Sequence, residues 1–237
     1  MTLAHTAWGD APPSVLLLHG MLGSADSWWR VAPVLAERGH GVVALDLPGH
    51  GRSAPDRSAT VARVVDAVVT TWRSLSDAAP RLAIGHSYGG TVLAAAQPSL
   101  TPERAVFVDS PFTKQGGHDP AEARAYYSES VAARTAEGLR ARRPFYSERD
   151  IEAEALAASH FDVETAVALS ASPGDDWTPD GSTPALMVRP APSPYITDEV
   201  AEALRARGMA VTDVPGAEHS LWYSHFDEFL AAIDDWY

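Results

Sequence analysis

Six short apolar runs, each bounded by turn residues, constrain this chain most: Ser14-Val-Leu-Leu-Leu18, Gly41-Val-Val-Ala-Leu45, Arg81-Leu-Ala-Ile84, Ala105-Val-Phe-Val108, Ala185-Leu-Met-Val188 and Met209-Ala-Val-Thr-Asp-Val214. Runs of this length with little polar alternation read as strands buried on both faces, and hence as a parallel sheet. Helical periodicity fills the intervals. It is clearest from Ser58 to Ala78, where Val61, Val64, Val65, Val68, Trp72 and Leu75 recur at helical spacing behind a Ser58 N-cap. Alternating strands and helices predict βαβ units, a mostly parallel central sheet with helices on both faces. The closing stretch Phe226 to Tyr237, with Phe226, Phe229, Leu230, Ile233 and Tyr237 on one face, predicts a last helix packed on that sheet.

The alternation stops after Ser110-Pro111-Phe112 and resumes near Thr183-Pro184. About 70 residues between them have helical character and no convincing strand. This divides the chain into a core, residues 1–111 and 182–237, and an inserted α-helical cap, residues 112–181. The expected cap helices are Pro120 to Arg142, Ser147 to Ser159 opened by the capping pair Ser147 and Asp150, and Asp162 to Ala171. Phe112, Tyr126, Tyr127, Phe145, Tyr146, Phe161 and Trp177 enrich this stretch in aromatic rings. Most are expected to pack the cap on the core, and two or three to line an apolar pocket.

Into this framework falls Gly85-His86-Ser87-Tyr88-Gly89, between the run ending at Ile84 and the helical stretch from Gly90. It fits the G-x-S-x-G turn in its strand-turn-helix setting. A serine on such a turn adopts strained backbone angles that lift its hydroxyl clear of the sheet. The glycines give the turn room and let the next helix approach closely, with its free N–H groups aimed at the serine oxygen. A serine hydroxyl is a weak nucleophile until a base takes its proton and a carboxylate orients that base. Among nine histidines, His219 is the best candidate base, because it follows the last strand in a loop that opens on the same sheet edge as Ser87.

The stretches His19-Gly-Met-Leu-Gly-Ser24, Asp46-Leu-Pro-Gly-His-Gly-Arg-Ser53, Gly85-His-Ser-Tyr-Gly-Gly90 and Gly216-Ala-Glu-His-Ser220, in that order and spacing, resemble the α/β-hydrolase superfamily. The resemblance covers nearly all of the chain outside the cap. It implies an α/β-hydrolase fold, a catalytic triad, and an oxyanion hole formed by the backbone N–H groups of Met21 and Tyr88. It also implies that His19, Asp46, His50 and Arg52 fix loops around the site. The triad acid departs from the usual pattern. Its customary place, the loop after the strand that follows the cap, reads Val188-Arg-Pro-Ala-Pro-Ser-Pro-Tyr-Ile-Thr-Asp198, with Pro194 where the carboxylate would align. Asp109, after the strand before the cap, is the favoured candidate because some superfamily members carry the acid there. Asp198 and the lack of an intact triad are the alternatives.

The expected activity is a serine hydrolase that cleaves a carboxylic ester or lactone of a small, hydrophobic molecule through an acyl-enzyme on Ser87. The acid position tilts the reading toward a lactonase. C–C hydrolase, lyase or thioesterase chemistry on the same triad is the alternative, as is a weakly catalytic ligand-binding protein. Gly20, Trp28, Tyr126, Trp177 and Trp222 are the expected substrate-binding residues.

Composition narrows the partners. A net charge of −13, from 31 acidic and 18 basic residues without a basic run, argues against nucleic acid and anionic membrane surfaces. The absence of Cys excludes disulfides, thiolate catalysis and Cys-ligated metals. Scattered histidines and the lack of a phosphate-binding glycine loop predict neither metal nor nucleotide cofactor. No stretch has the length of a signal peptide's apolar region or a membrane span, so the cytoplasm is the expected location.

Overall fold

The computed structural model describes residues 1–237. Its centre is a seven-stranded sheet made of β1 (His5–Trp8), β2 (Pro13–Leu18), β3 (Gly41–Leu45), β4 (Leu82–His86), β5 (Arg104–Val108), β8 (Ala185–Ala191) and β9 (Ala210–Pro215), in the order β1-β3-β2-β4-β5-β8-β9. All neighbours are parallel except β1 and β3. A two-stranded antiparallel ribbon, β6 (Thr113–Lys114) with β7 (Asp175–Asp176), lies apart from it. All six apolar runs are strands, and the fold is the mostly parallel α/β class that their alternation predicts.

Five of the six runs bury both faces because successive side chains point to opposite sides, whereas the Met209–Val214 run forms the edge strand β9 and buries only Val214 along that strand. Leu16 and Leu18 of β2 pack with α2 (Val61–Leu75), α3 (Tyr88–Leu100) and α8 (Asp198–Ala206). Val15 and Leu17 pack on the other side with α1 (Val31–Glu37), α9 (Leu221–Ser224) and α10 (Phe226–Ile233). Each fully buried side chain of this size contributes roughly 1.5–3 kcal/mol relative to exposure.

Four helices occupy the interval between β5 and β8: α4 (Pro120–Ala132), α5 (Ala136–Arg142), α6 (Glu148–Ser159) and α7 (Val163–Ala171). Three local expectations need correction. α2 is capped by Thr60, whose hydroxyl accepts from the Arg63 N–H, while the Ser58 hydroxyl donates to Asp56. The single helix expected from Pro120 to Arg142 is broken after Ala132, where Thr135 caps a new one by accepting from the Gly138 N–H. β1, a half-exposed edge strand, and the short ribbon had no apolar run to announce them. The Ser147–Asp150 capping box opens α6 as expected.

Candidate active site

The site is assembled at the carboxyl ends of four neighbouring strands. β4 ends at His86, and Ser87 turns the chain into α3 with φ 50° and ψ −119°. A non-glycine residue in that region costs on the order of 1 kcal/mol. Its N–H is fixed by the Val108 carbonyl at the end of β5, 2.9 Å away. Gly89 and Gly90 are required here, because a Cβ on the first would overlap the His19 carbonyl and one on the second the Ser110 hydroxyl.

Asp109 follows β5 in the same strained manner, with φ 44° and its N–H donating to the Val188 carbonyl of β8 at 2.8 Å. Its side chain is fully buried and accepts two short hydrogen bonds. His219, from the loop after β9, donates from Nδ1 to Oδ2 at 2.6 Å, and Ser193 donates from Oγ to Oδ1 at 2.5 Å. The His219 bond sets the proton on Nδ1 and leaves the Nε2 lone pair free. Ser87 and His219 line one cleft, with a cavity of about 60 Å³.

Asp198 is placed elsewhere. Its carboxylate receives the buried Arg189 guanidinium at 2.6 Å, which also holds Asp213 at 2.7 Å and donates to the Ile196 carbonyl. The loop that lacks a carboxylate nonetheless serves Asp109 through Ser193, one residue before Pro194. The Ser193 hydroxyl also accepts from the Tyr195 and Ile196 N–H groups, so this turn and the acid are tied together.

Met21 lines the cleft, and its N–H has no acceptor in the chain. Tyr88 opens α3, where first-turn N–H groups have no partner in the preceding turn. His19, Asp46, His50 and Arg52 hold loops. Asp46 accepts from the Ala25 N–H and from Arg52, and His19 accepts at Nε2 from the Leu47 N–H. His86 donates from Nε2 to the His219 carbonyl at 3.1 Å and so braces the loop that carries His219. Burial, reinforced by His219, keeps His86 well below the usual histidine range, hence neutral.

Of the expected substrate-binding residues, Gly20 and Trp222 line the cleft. Trp28 does not, being fully buried and stacked on Trp222 with centroids 4.4 Å apart. Tyr126 is exposed on α4 beside a depression that also contains His118 and Ser170. Trp177 borders a separate cavity against the end of α3, with Pro98 and Thr101. The cleft is also more polar than expected. Phe145 and Tyr146 reach it, but so do Arg134, Arg143, Glu154 and Glu218. No sequence signal marked Arg134, Arg143 or Glu154, since side-chain direction on an intervening segment is set by tertiary packing, while Glu218 directly precedes His219. Ser193 could have been noticed as a hydroxyl two and three residues before turn N–H groups.

A seven-stranded, mostly parallel sheet with a serine on a strained turn after β4 and an Asp-oriented histidine after β9 defines an α/β-hydrolase architecture. Residues 15–232 match the alpha/beta hydrolase family, and the chain belongs to it. The dihydrolipoyllysine-residue acetyltransferase component of the acetoin cleaving system of Cupriavidus necator is 36% identical over 86 residues, 36% of this chain and 23% of that protein. Methylesterase 8 of Arabidopsis thaliana is 38% identical over 84 residues, 34% of this chain and 30% of that protein. The matched part of the chain thus spans only 23% to 30% of these curated relatives. Among solved structures, an N-formylmaleamic acid deformylase from Pseudomonas putida S16 superposes with a TM-score of 0.77 at 21% identity, covering 97% of this chain and 94% of that one. At that identity the likeness shows the fold alone. No helix is long and apolar enough to cross a membrane.

Proposed function

We propose that the protein is a serine hydrolase that cleaves carboxylic esters or lactones of small molecules. Residues 112–181 form a cap over a core of residues 1–111 and 182–237. Ser87 Oγ attacks the carbonyl while His219 Nε2 takes its proton, and Asp109 holds the imidazole in the required tautomer and stabilises the imidazolium. The Met21 and Tyr88 N–H groups receive the oxyanion, each donor contributing roughly 3–4 kcal/mol of transition-state stabilisation. His219 then protonates the leaving alcohol and activates the water that releases the acid.

The observation that carries this reading is the 2.6 Å bond between His219 Nδ1 and buried Asp109, behind a serine on a strained turn in the same cleft. It also removes the motive for a non-catalytic binding protein, which was an acid missing from its usual loop. Supporting the lactone arm is the acid's place after β5. The polar residues lining the cleft favour a polar substrate over the hydrophobic one expected from the sequence.

Reaction with a fluorophosphonate and with short chromogenic esters and lactones tests the proposal. Stoichiometric labelling at Ser87 with turnover is expected. Inertness to the phosphonate and to every ester and lactone would overturn it.

A further inference from the structure

The cleft over Ser87 carries more charge than ester cleavage needs. Only four of its 15 lining residues are hydrophobic, and Arg134, Arg143, Glu154 and Glu218 add two cations and two anions. What these groups offer a ligand differs. Glu154 is buried and its oxygens are already committed: Oε1 accepts from the Ser27 hydroxyl at 3.3 Å and the Tyr223 hydroxyl at 3.0 Å, and Oε2 accepts from Arg134 at 2.7 Å. Arg134 makes only that one side-chain bond. A guanidinium has five N–H donors in a planar fork, so four remain open. Arg143 reaches Glu218 through one 3.3 Å bond between half-exposed side chains, an arrangement worth little in water and readily exchanged. Arg134 and Arg143 therefore offer the cleft spare donors, Glu154 has no oxygen to spare, and Glu218 is a half-exposed carboxylate held only by the same bond as Arg143.

Resting on the serine-hydrolase reading, we propose that Arg134 and Arg143 bind a carboxylate carried by the substrate. The substrates are then half-esters of dicarboxylic acids, or lactones bearing a carboxylate, with the anionic group a few bonds from the scissile carbonyl. Arginine forks match carboxylates in geometry as well as charge. A chain of net charge −13 does not draw anions in from a distance, so selection falls to local donors. Glu154, braced by Ser27 and Tyr223, is the positioning residue that aims Arg134.

The test compares kcat/KM for monomethyl succinate, glutarate and adipate with that for the matched methyl esters in which an isopropyl group replaces the carboxylate. At least one charged ester should be preferred by roughly tenfold or more, the scale of a charge-assisted hydrogen bond. That ratio should fall toward one in Arg143→Gln and in the double variant Arg134→Gln/Glu154→Gln. The double variant removes both partners and leaves no buried charge unpaired. A ratio of one or less across the wild-type series, or an unchanged ratio in both variants, would overturn the proposal. A second arm needs no turnover: succinate, glutarate and adipate, against their diamides, are titrated calorimetrically into Ser87→Ala. Saturable binding of at least one dicarboxylate, weakened in Arg143→Gln/Ser87→Ala, is expected, and binding of none overturns the proposal. If dicarboxylates bind but neither phosphonate nor ester reacts at Ser87, the hydrolase reading falls and the anion site stands.

Discussion

The turns that end β4 and β5 and the segment between β5 and β8 are held in place by different means. Ser87 and Asp109 both adopt positive φ, and the N–H of each is bonded to a carbonyl of the adjacent strand, Val108 at the end of β5 and Val188 within β8. Their positions follow from the backbone of a sheet whose inner strands are almost wholly buried. In the segment between β5 and β8, α4 buries a single residue, Ala123, and leaves Tyr126 exposed. α6 is attached through two buried carboxylates: Asp150 accepts from Trp29 Nε1, and Glu154 accepts from Ser27 and Tyr223. The Ser87 and Asp109 turns are thus fixed by main chain, and the part α6 takes in the cleft rests on side-chain bonds together with the buried Ile151, Ala153, Ala157 and Ala158. The two regions should respond differently to substitution.

The sharpest contrast is expected at Ser87. Ser87→Ala should lower turnover of a reactive ester by roughly four to six orders of magnitude. Its thermal midpoint should stay near that of wild type, because the strained turn is imposed by the sheet. A large loss of stability instead would show that the serine side chain supports the turn. Asp109→Asn comes next, with a loss of about four orders of magnitude in kcat from an imidazole in the wrong tautomer. Asp198→Asn should leave kcat unchanged, since Asp198 meets only Arg189. Comparable losses in the two would break the assignment of the acid.

How far the sequence discloses each region follows the same division. The inner strands were legible because continuous apolar runs have one stable use, burial on both faces. β1 was not, because an edge strand such as His5–Trp8 alternates between exposed and half-buried. Ser87, His219 and Asp109 could be proposed because each lies at a strand end, where topology decides its neighbours. Ser193 was missed because its partner is 84 residues away, and no local rule predicts a bond across that span. Arg134 was hidden for another reason: with no Pro between Pro120 and Arg142, and with Gly138 lying beyond the break, the periodicity runs through Thr135 and so through the turn that sends Arg134 into the cleft.

Acid should destabilise the buried side of this comparison. His50 is fully buried in the Asp46–Ser53 loop, and its pKa is pushed down to about 3 by burial first and then by His19, against a bond to the Pro48 carbonyl. Unfolded, it titrates near 6.5. Between those values the unfolded chain holds a proton that the folded chain lacks, so stability is complete above about 6.5 and falls as the pH drops toward 3. At pH 4.5 the two-unit interval amounts to about 3 kcal/mol, at about 1.4 kcal/mol per unit. Urea unfolding at pH 7 and 4.5 should show this loss, and His50→Gln should remove a large part of it. An equal acid loss in the variant would assign the effect to other groups.

The smallest effect is expected where the two loop systems meet. Ser193→Ala deletes the hydroxyl that donates to Asp109 Oδ1 and accepts from the Tyr195 and Ile196 N–H groups. Asp109 keeps its bond to His219 and its place after β5, so the base should stay oriented. Loss of one hydrogen bond to a charged group should lower kcat roughly tenfold, corresponding to about 1.5 kcal/mol. KM should change little, because Ser193 does not line the cleft. Ser193→Thr keeps the hydroxyl and should recover most of the rate if the bond matters more than the loop's packing. A Ser193→Ala loss as large as that of Asp109→Asn would mean that the proline-rich loop, more than the β5 turn, holds the carboxylate against His219.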